Sequence, residues 1–346
     1  MENLDVLRYH EQVIIRLRAL YRQFGYTQYE TSRFEEYELY ARNKAFLPSD
    51  EIITFSGVSG KLMALRPDVT LSIVKNASDG VAYKLFYNEN VYRPALFGNA
   101  LKERMQAGVE CIGDIDLYST AEVIVLARRS LDILGGRCSL DISHMGFISG
   151  LFESVELPSV QQDQLLRSLG EKNAPEIAAL CAEFGLGQSF CDKLASLVKL
   201  YGPFDNEMLG ELKSIAVGAR CDEALAELTA LSAILKEFGV SAHLDFSIVN
   251  DLSYYSGIIF QGYIEGAPAK VLSGGRYDKL LQKFGKKSGA IGFAVYLDML
   301  EHEISSKETD VILPHNENSD PRELARKVNA LINEGKSVRV CREAVK

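Results

Sequence analysis

The sequence predicts an α+β fold in which a block of helices interrupts a single sheet. Strand-like, turn-rich text runs from Tyr26 to Glu89 with a further strand at Met105 to Ile112, helical periodicity dominates 150–238, and strand text returns between 242 and 273. This pattern divides the chain into a core made of 1–149 and 240–303, a helical insertion at 150–239 and a short β-α-β piece at 304–346.

Each element follows from its residues. From about Asn3 to Phe24, Leu4, Leu7, Val13, Leu17, Leu20 and Tyr21 recur near helical spacing, and Gly25 stands where a helix stops. Ile52-Ile53-Thr54-Phe55 and Lys61 to Leu65 read as strands joined by a turn at Ser56 to Gly60, and a helix begins near Asp68 and runs to Asn76. Lys84 to Arg93 and Met105 to Ile112 read as two further strands, leaving Pro94 to Arg104 as a loop long for a hairpin. A long helix is expected over Leu117 to Leu134. Helices then cover Ile177 to Phe184, Asp192 to Leu200 and Asp222 to Phe238, and strands cover Ala242 to Val249, Ile258 to Ile264 and Val271 to Ser273. Val311-Ile312-Leu313, Pro321 to Glu334 and Val338-Arg339-Val340 complete the β-α-β piece.

Composition excludes several classes. Apolar content of 47% and charged content of 25% are those of an ordinary globular chain of 346 residues. No apolar run approaches the roughly 18 residues of a membrane helix, and Met1 to Arg8 carry no apolar signal core, so no membrane role and a cytoplasmic location are expected. The six cysteines and five histidines are scattered without ligand spacing, which points to no metal and no cofactor. A net charge of −9 argues against gripping a phosphate backbone.

Four polar clusters interrupt the apolar text. In the strand Met105 to Cys111, Gln106, Gly108 and Glu110 share one face and the rest point to core, so an amide and a carboxylate flank a missing side chain, a floor for a small polar molecule. The plainer reading is a half-wet sheet. Leu65-Arg66-Pro67-Asp68-Val69-Thr70 places Asp68 and Thr70 at a strand-to-helix corner, where Asp68 serves as a helix cap or a ligand group. Asn90-Val91-Tyr92-Arg93 ends a strand in an arginine. Leu252-Ser253-Tyr254-Tyr255 and Gly274-Gly275-Arg276-Tyr277-Asp278 pair phenols with a glycine doublet that allows close backbone approach or a turn.

Taken in order with Gly292-Phe293-Ala294, these motifs resemble the histidyl-tRNA synthetase family, from near Gly25 to Leu300. The resemblance implies a class II aminoacyl-tRNA synthetase-like core with a mostly antiparallel sheet flanked by helices. It implies a histidine pocket of Asp68, Thr70, Gln106, Glu110, Tyr254 and Tyr255, with Tyr277 in the same region. Within that pocket Glu110 and Tyr255 would hold the imidazole, Asp68, Thr70 and Gln106 the ammonium, and Arg93 the carboxylate.

The departures separate the chain from an active synthetase. Where the family has an arginine used in activation stands Asn250, where it has an ATP-clamping arginine stands Met299, and a small glycine is replaced by Tyr296. Phosphoryl chemistry needs cations where charge develops, and losing one such donor costs about 2.7–4 kcal/mol. Residues 304–346 are also too few for the family's anticodon-reading domain, so no tRNA binding is expected. A relative that keeps the amino-acid pocket and lacks the clamps resembles a paralogous family, the regulatory subunits of ATP phosphoribosyltransferase. That resemblance implies a non-catalytic subunit, a homodimer of itself, a hetero-octamer with a short-form catalytic subunit, and feedback inhibition by L-histidine. The rival readings are an active synthetase and a scaffold that binds no small molecule.

Overall fold

The computed structural model describes residues 7–43, 52–58, 60–94, 100–249, 254–300, 309–316 and 319–342. The chain divides into two compact units, Met1–Leu300 and Glu301–Lys346.

The first unit begins with α1 (Tyr9–Gln23), β1 (Thr27–Gln28), β2 (Phe34–Glu36), α2 (Tyr37–Ala41), β3 (Thr54–Ser56), β4 (Leu62–Leu65) and α3 (Thr70–Asn76). It continues with β5 (Tyr83–Pro94), β6 (Leu101–Gly113), α4 (Leu117–Leu134) and β7 (Cys138–His144). The helical block follows as α5 (Met145–Glu153), α6 (Ser159–Gly170), α7 (Ala174–Glu183), α8 (Gln188–Lys199), β8 (Tyr201–Pro203), α9 (Asn206–Ile215) and α10 (Gly218–Glu237). The unit closes with β9 (His243–Asp245), β10 (Ile258–Ile264), β11 (Leu272–Arg276), α11 (Asp278–Lys283) and β12 (Gly289–Tyr296).

Nine strands form one sheet in the order β1-β5-β6-β12-β11-β10-β7-β9-β8, and β2, β4 and β3 form a second, smaller one. In the large sheet β1–β5 and β7–β9 are parallel and every other pairing is antiparallel. One face of it is apolar. Phe86, Ala107, Val109, Phe293 and Val295 are buried there in the same core as Val13, Leu17 and Tyr21 of α1 and Val123 to Ala127 of α4. α1 ends as its sequence requires: Gly25 takes φ +81°, a left-handed conformation that a side chain disfavours, and its N–H returns to the Arg22 carbonyl at 3.0 Å. α4 starts where Asp116 accepts the Ser119 N–H at 2.7 Å.

Register fixes what the opposite face presents. Glu110 lies between Leu85 and Gly292, Gly108 between Tyr87 and Ala294, and Gln106 between Glu89 and Tyr296. Directly paired residues share a face, so these form three successive rows of one surface, which continues through Ser273 and Gly275 of β11.

Several sequence expectations are corrected. Pro94 pairs with Leu101, so Pro94 and Leu101 to Arg104 of the expected loop belong to β5 and β6, and residues 95–99 lie outside the described residues. The strand expected over Ala242 to Val249 is confined to His243–Asp245, because Asp245 turns back to accept the Ser247 N–H at 2.8 Å. The helical block also carries an unforeseen strand, β8, which extends the large sheet by pairing with β9.

The second unit holds β13 (Val311–His315), α12 (Pro321–Asn333) and β14 (Val338–Arg342), its two strands parallel. α12 begins with Pro321 behind Asp320, whose carboxylate accepts the Arg322 N–H at 2.9 Å.

Candidate functional site

The site is built on the polar rows of the large sheet, with α3 and the 254–257 segment around it. Glu110 is 2% exposed. Its carboxylate accepts the Thr70 hydroxyl at 2.6 Å and the Tyr277 hydroxyl on its other oxygen. Burial pushes the Glu110 carboxyl up to about 8; the two hydrogen bonds pull it down, and the Asp68 charge adds to the rise. The rise favours the protonated carboxyl near neutral pH.

Asp68 occupies the corner before α3 and accepts the Leu71 N–H at 2.8 Å. The carboxylate thus ties down the first turn of α3, as the helix-cap reading expects, and it keeps partial exposure. Burial raises Asp68, opposed by that N–H and by the positive charges of Arg93 and Arg66. Arg93 donates to the Pro67 carbonyl at 2.9 Å. Arg66, fully buried, braces the corner through the Thr31, Ser32 and Asn90 carbonyls and Glu89 at 2.7–3.0 Å.

Three phenols complete the enclosure. Tyr254 stacks on Tyr277 with centroids 6.0 Å apart and meets Tyr255 edge-on at 4.3 Å. Gly275 makes room for this arrangement, since a Cβ there would stand 2.7 Å from the Tyr255 ring. Asp68, Tyr255 and Tyr296 are deeply enclosed and yet keep partial solvent exposure. They face a recess rather than packed interior. The structure thus gathers Asp68, Thr70, Arg93, Gln106, Glu110, Tyr254, Tyr255 and Tyr277 around the polar face of the large sheet.

The glycine floor is corrected. The space beside Gly108 belongs to Tyr87, whose ring carbon and hydroxyl would lie 2.7 Å from a Cβ at that position. Gly108 admits a protein side chain, not a ligand. Gly292 has a matching role, because a Cβ there would overlap the Glu110 carboxylate. Tyr87 was missed from sequence, and Gly292 was read only as part of the Gly292-Phe293-Ala294 motif: the roles of both arise from cross-strand pairing, which a one-dimensional pattern does not contain.

The family profile described as Histidyl-tRNA synthetase matches residues 5–300. An ATP phosphoribosyltransferase regulatory subunit from Acetivibrio thermocellus is 31% identical over 82% of this chain and 70% of its own length. The chain belongs to the ATP phosphoribosyltransferase regulatory subunit family. A crystal structure named as an ATP phosphoribosyltransferase regulatory subunit/histidyl-tRNA synthetase from Bacillus halodurans is 27% identical, with a TM-score of 0.78, over 96% of this chain and 88% of that one. A chain of the ATP phosphoribosyl transferase (HisG:HisZ) complex from Thermotoga maritima, 20% identical, shares the fold with a TM-score of 0.65 over 84% of this chain and 98% of that one.

An ATP phosphoribosyltransferase regulatory subunit is non-catalytic. Met299 lies in the short turn Leu297–Leu300 and packs against the main apolar core. Neighbouring Asp298 approaches Arg104 at 3.7 Å. Asn250 falls outside the described residues, as do Leu252 and Ser253. Among the described residues no cluster of His, Cys, Asp or Glu suits a metal ion, and no helix is long and apolar enough to cross a membrane.

Proposed function

We propose that this regulatory subunit senses L-histidine in the Glu110 pocket and transmits its occupancy to a short-form catalytic subunit of ATP phosphoribosyltransferase, the first enzyme of histidine biosynthesis. The observation that carries this reading is the buried Glu110 carboxyl, raised to about 8 and held by Thr70 and Tyr277 beside the recess lined by Asp68. A protonated carboxyl shielded from water suits an imidazole. The Glu110 proton passes to the ring, leaving imidazolium against carboxylate, a pair stronger in this enclosed site than in water.

Glu110 and Tyr255 take the imidazole, Asp68, Thr70 and Gln106 take the α-ammonium, Tyr254 and Tyr277 wall the pocket, and Arg93 meets the carboxylate. Histidine inhibits to the extent that it binds the inhibited arrangement of the complex more tightly than the active one. The working assembly is a hetero-octamer in the cytoplasm, with the regulatory chain paired to a second copy of itself.

The test is to mix the chain with a short-form catalytic subunit and assay phosphoribosyl transfer with and without L-histidine. Activation that histidine reverses supports the reading, and no activation sinks it. Calorimetry with L-histidine separates sensing from scaffolding, since a scaffold gives no saturable heat. Histidine-dependent ATP–pyrophosphate exchange at a synthetase-like rate would restore the enzymatic reading.

A further inference from the structure

Two rows along the polar face from Glu110 stands Tyr296. It is paired with Gln106, and the two rows span about 13 Å at 3.3 Å per residue. Free histidine is shorter than that span. The Tyr296 side chain lies on the pocket face, within hydrogen-bond reach of the Ser273 side chain and facing the charges of Arg93, Asp68 and Asp298. Tyr255 is near enough to interact with it electrostatically. Its backbone is fixed on two sides, by the β6 ladder and by a bond from its own N–H to the Val271 carbonyl at 2.8 Å. The ring stands on a strand near the middle of the sheet, not on a loop that can swing aside.

Resting on the proposed histidine reading, we infer that Tyr296 is a specificity-determining residue that restricts the pocket to the free amino acid and rejects histidine extended at its carboxyl carbon. With the imidazole at Glu110 and the ammonium at Asp68, the carboxylate points to the Arg93 and Tyr296 end. A substituent carried there, as in an amide, an ester or an acyl adenylate, meets the phenol ring, and exclusion by a side chain on a fixed backbone is a repulsive element of specificity. The subunit therefore reports the concentration of free histidine and ignores histidine that has been activated or esterified.

Calorimetry on the full chain tests this with three probes: L-histidine, L-histidinamide and L-histidine benzylamide. The two amides are alike at the carboxyl carbon and differ in bulk, so their ratio reads size without the lost carboxylate charge. The intact chain and Tyr296→Phe are expected to bind histidinamide at least about 30-fold more tightly than the benzylamide, and Tyr296→Ala to narrow that ratio to about threefold, within the range that pocket shape alone supplies. Tyr296→Leu, which keeps part of the bulk, should fall between. Equal binding of the two amides by the intact chain, alongside saturable histidine binding, overturns the role of Tyr296 and leaves the histidine reading standing. A ratio unchanged in a Tyr296→Leu or Tyr296→Ala protein that still binds histidinamide overturns it as well. No saturable heat with L-histidine from the intact chain overturns both.

Discussion

The two faces of the large sheet are built from alternate residues of the same strands and behave as different materials. On one face Val109, Phe293 and Val295 pack under α1 and α4, with Tyr21 and Phe260 edge-on to Phe293 at 6.2 and 6.3 Å. On the other, one residue further along β6, Glu110 is equally buried but sits in a lattice of hydroxyls, with a recess beside it. The difference teaches that burial alone does not mark a core. The apolar face is close-packed and holds the fold, whereas the polar face spends stability on a carboxyl that would be better solvated outside.

Breaking the apolar face should have the largest effect. Phe293→Ala is expected to lower unfolding free energy by about 3–5 kcal/mol, read by urea denaturation. A loss under about 1 kcal/mol would mean that this face is not the close-packed one.

The next effect has the opposite sign. Glu110 has a folded pKa of about 8 against a reference of 4.5. Between those values the folded chain keeps a proton that the unfolded chain has released, so this group makes stability fall as pH rises from about 4.5 to about 8, by at most about 1.4 kcal/mol per unit. Glu110→Gln removes that contribution. The variant should gain on the parent as pH rises through this window, by several kcal/mol at most, while losing histidine binding. A stability difference that stays flat from pH 5 to pH 8 would contradict a protonated Glu110. Tyr277→Phe should act more weakly on the same group: it withdraws a donor worth about 1–2 kcal/mol, and the end of the slope moves above pH 8. The smallest effect is expected at the rim, where the half-exposed Lys75 pairs with Glu35 at 2.8 Å. Lys75→Ala should change stability by less than about 1 kcal/mol, and a larger loss would extend the polar lattice to that pair.

How much of this was legible in the sequence depended on whether the cause was local. The helix Leu117–Leu134 was legible because Asp116 and the apolar repeat lie along one segment. The face shared by Gln106 and Glu110 was legible because strand alternation is a local rule. What lies across the strand was not. Tyr87 filling the space at Gly108, and Gly292 clearing space for Glu110, depend on pairing between residues far apart in the chain. β8 escaped notice because Tyr201-Gly202-Pro203 carries no alternation, and only the neighbouring β9 makes it a strand.

β8 has one further consequence. The ends of the large sheet are β1, with two residues, and β8, with three. Such short borders expose few unpaired amides and carbonyls, so they are poor templates for the strand-on-strand accretion that turns open sheets into fibrils. Unpairing β8 would bare the edge of β9, and losing β9 as well would bare the longer β7 behind it, giving copies of the chain a strand long enough to pair on.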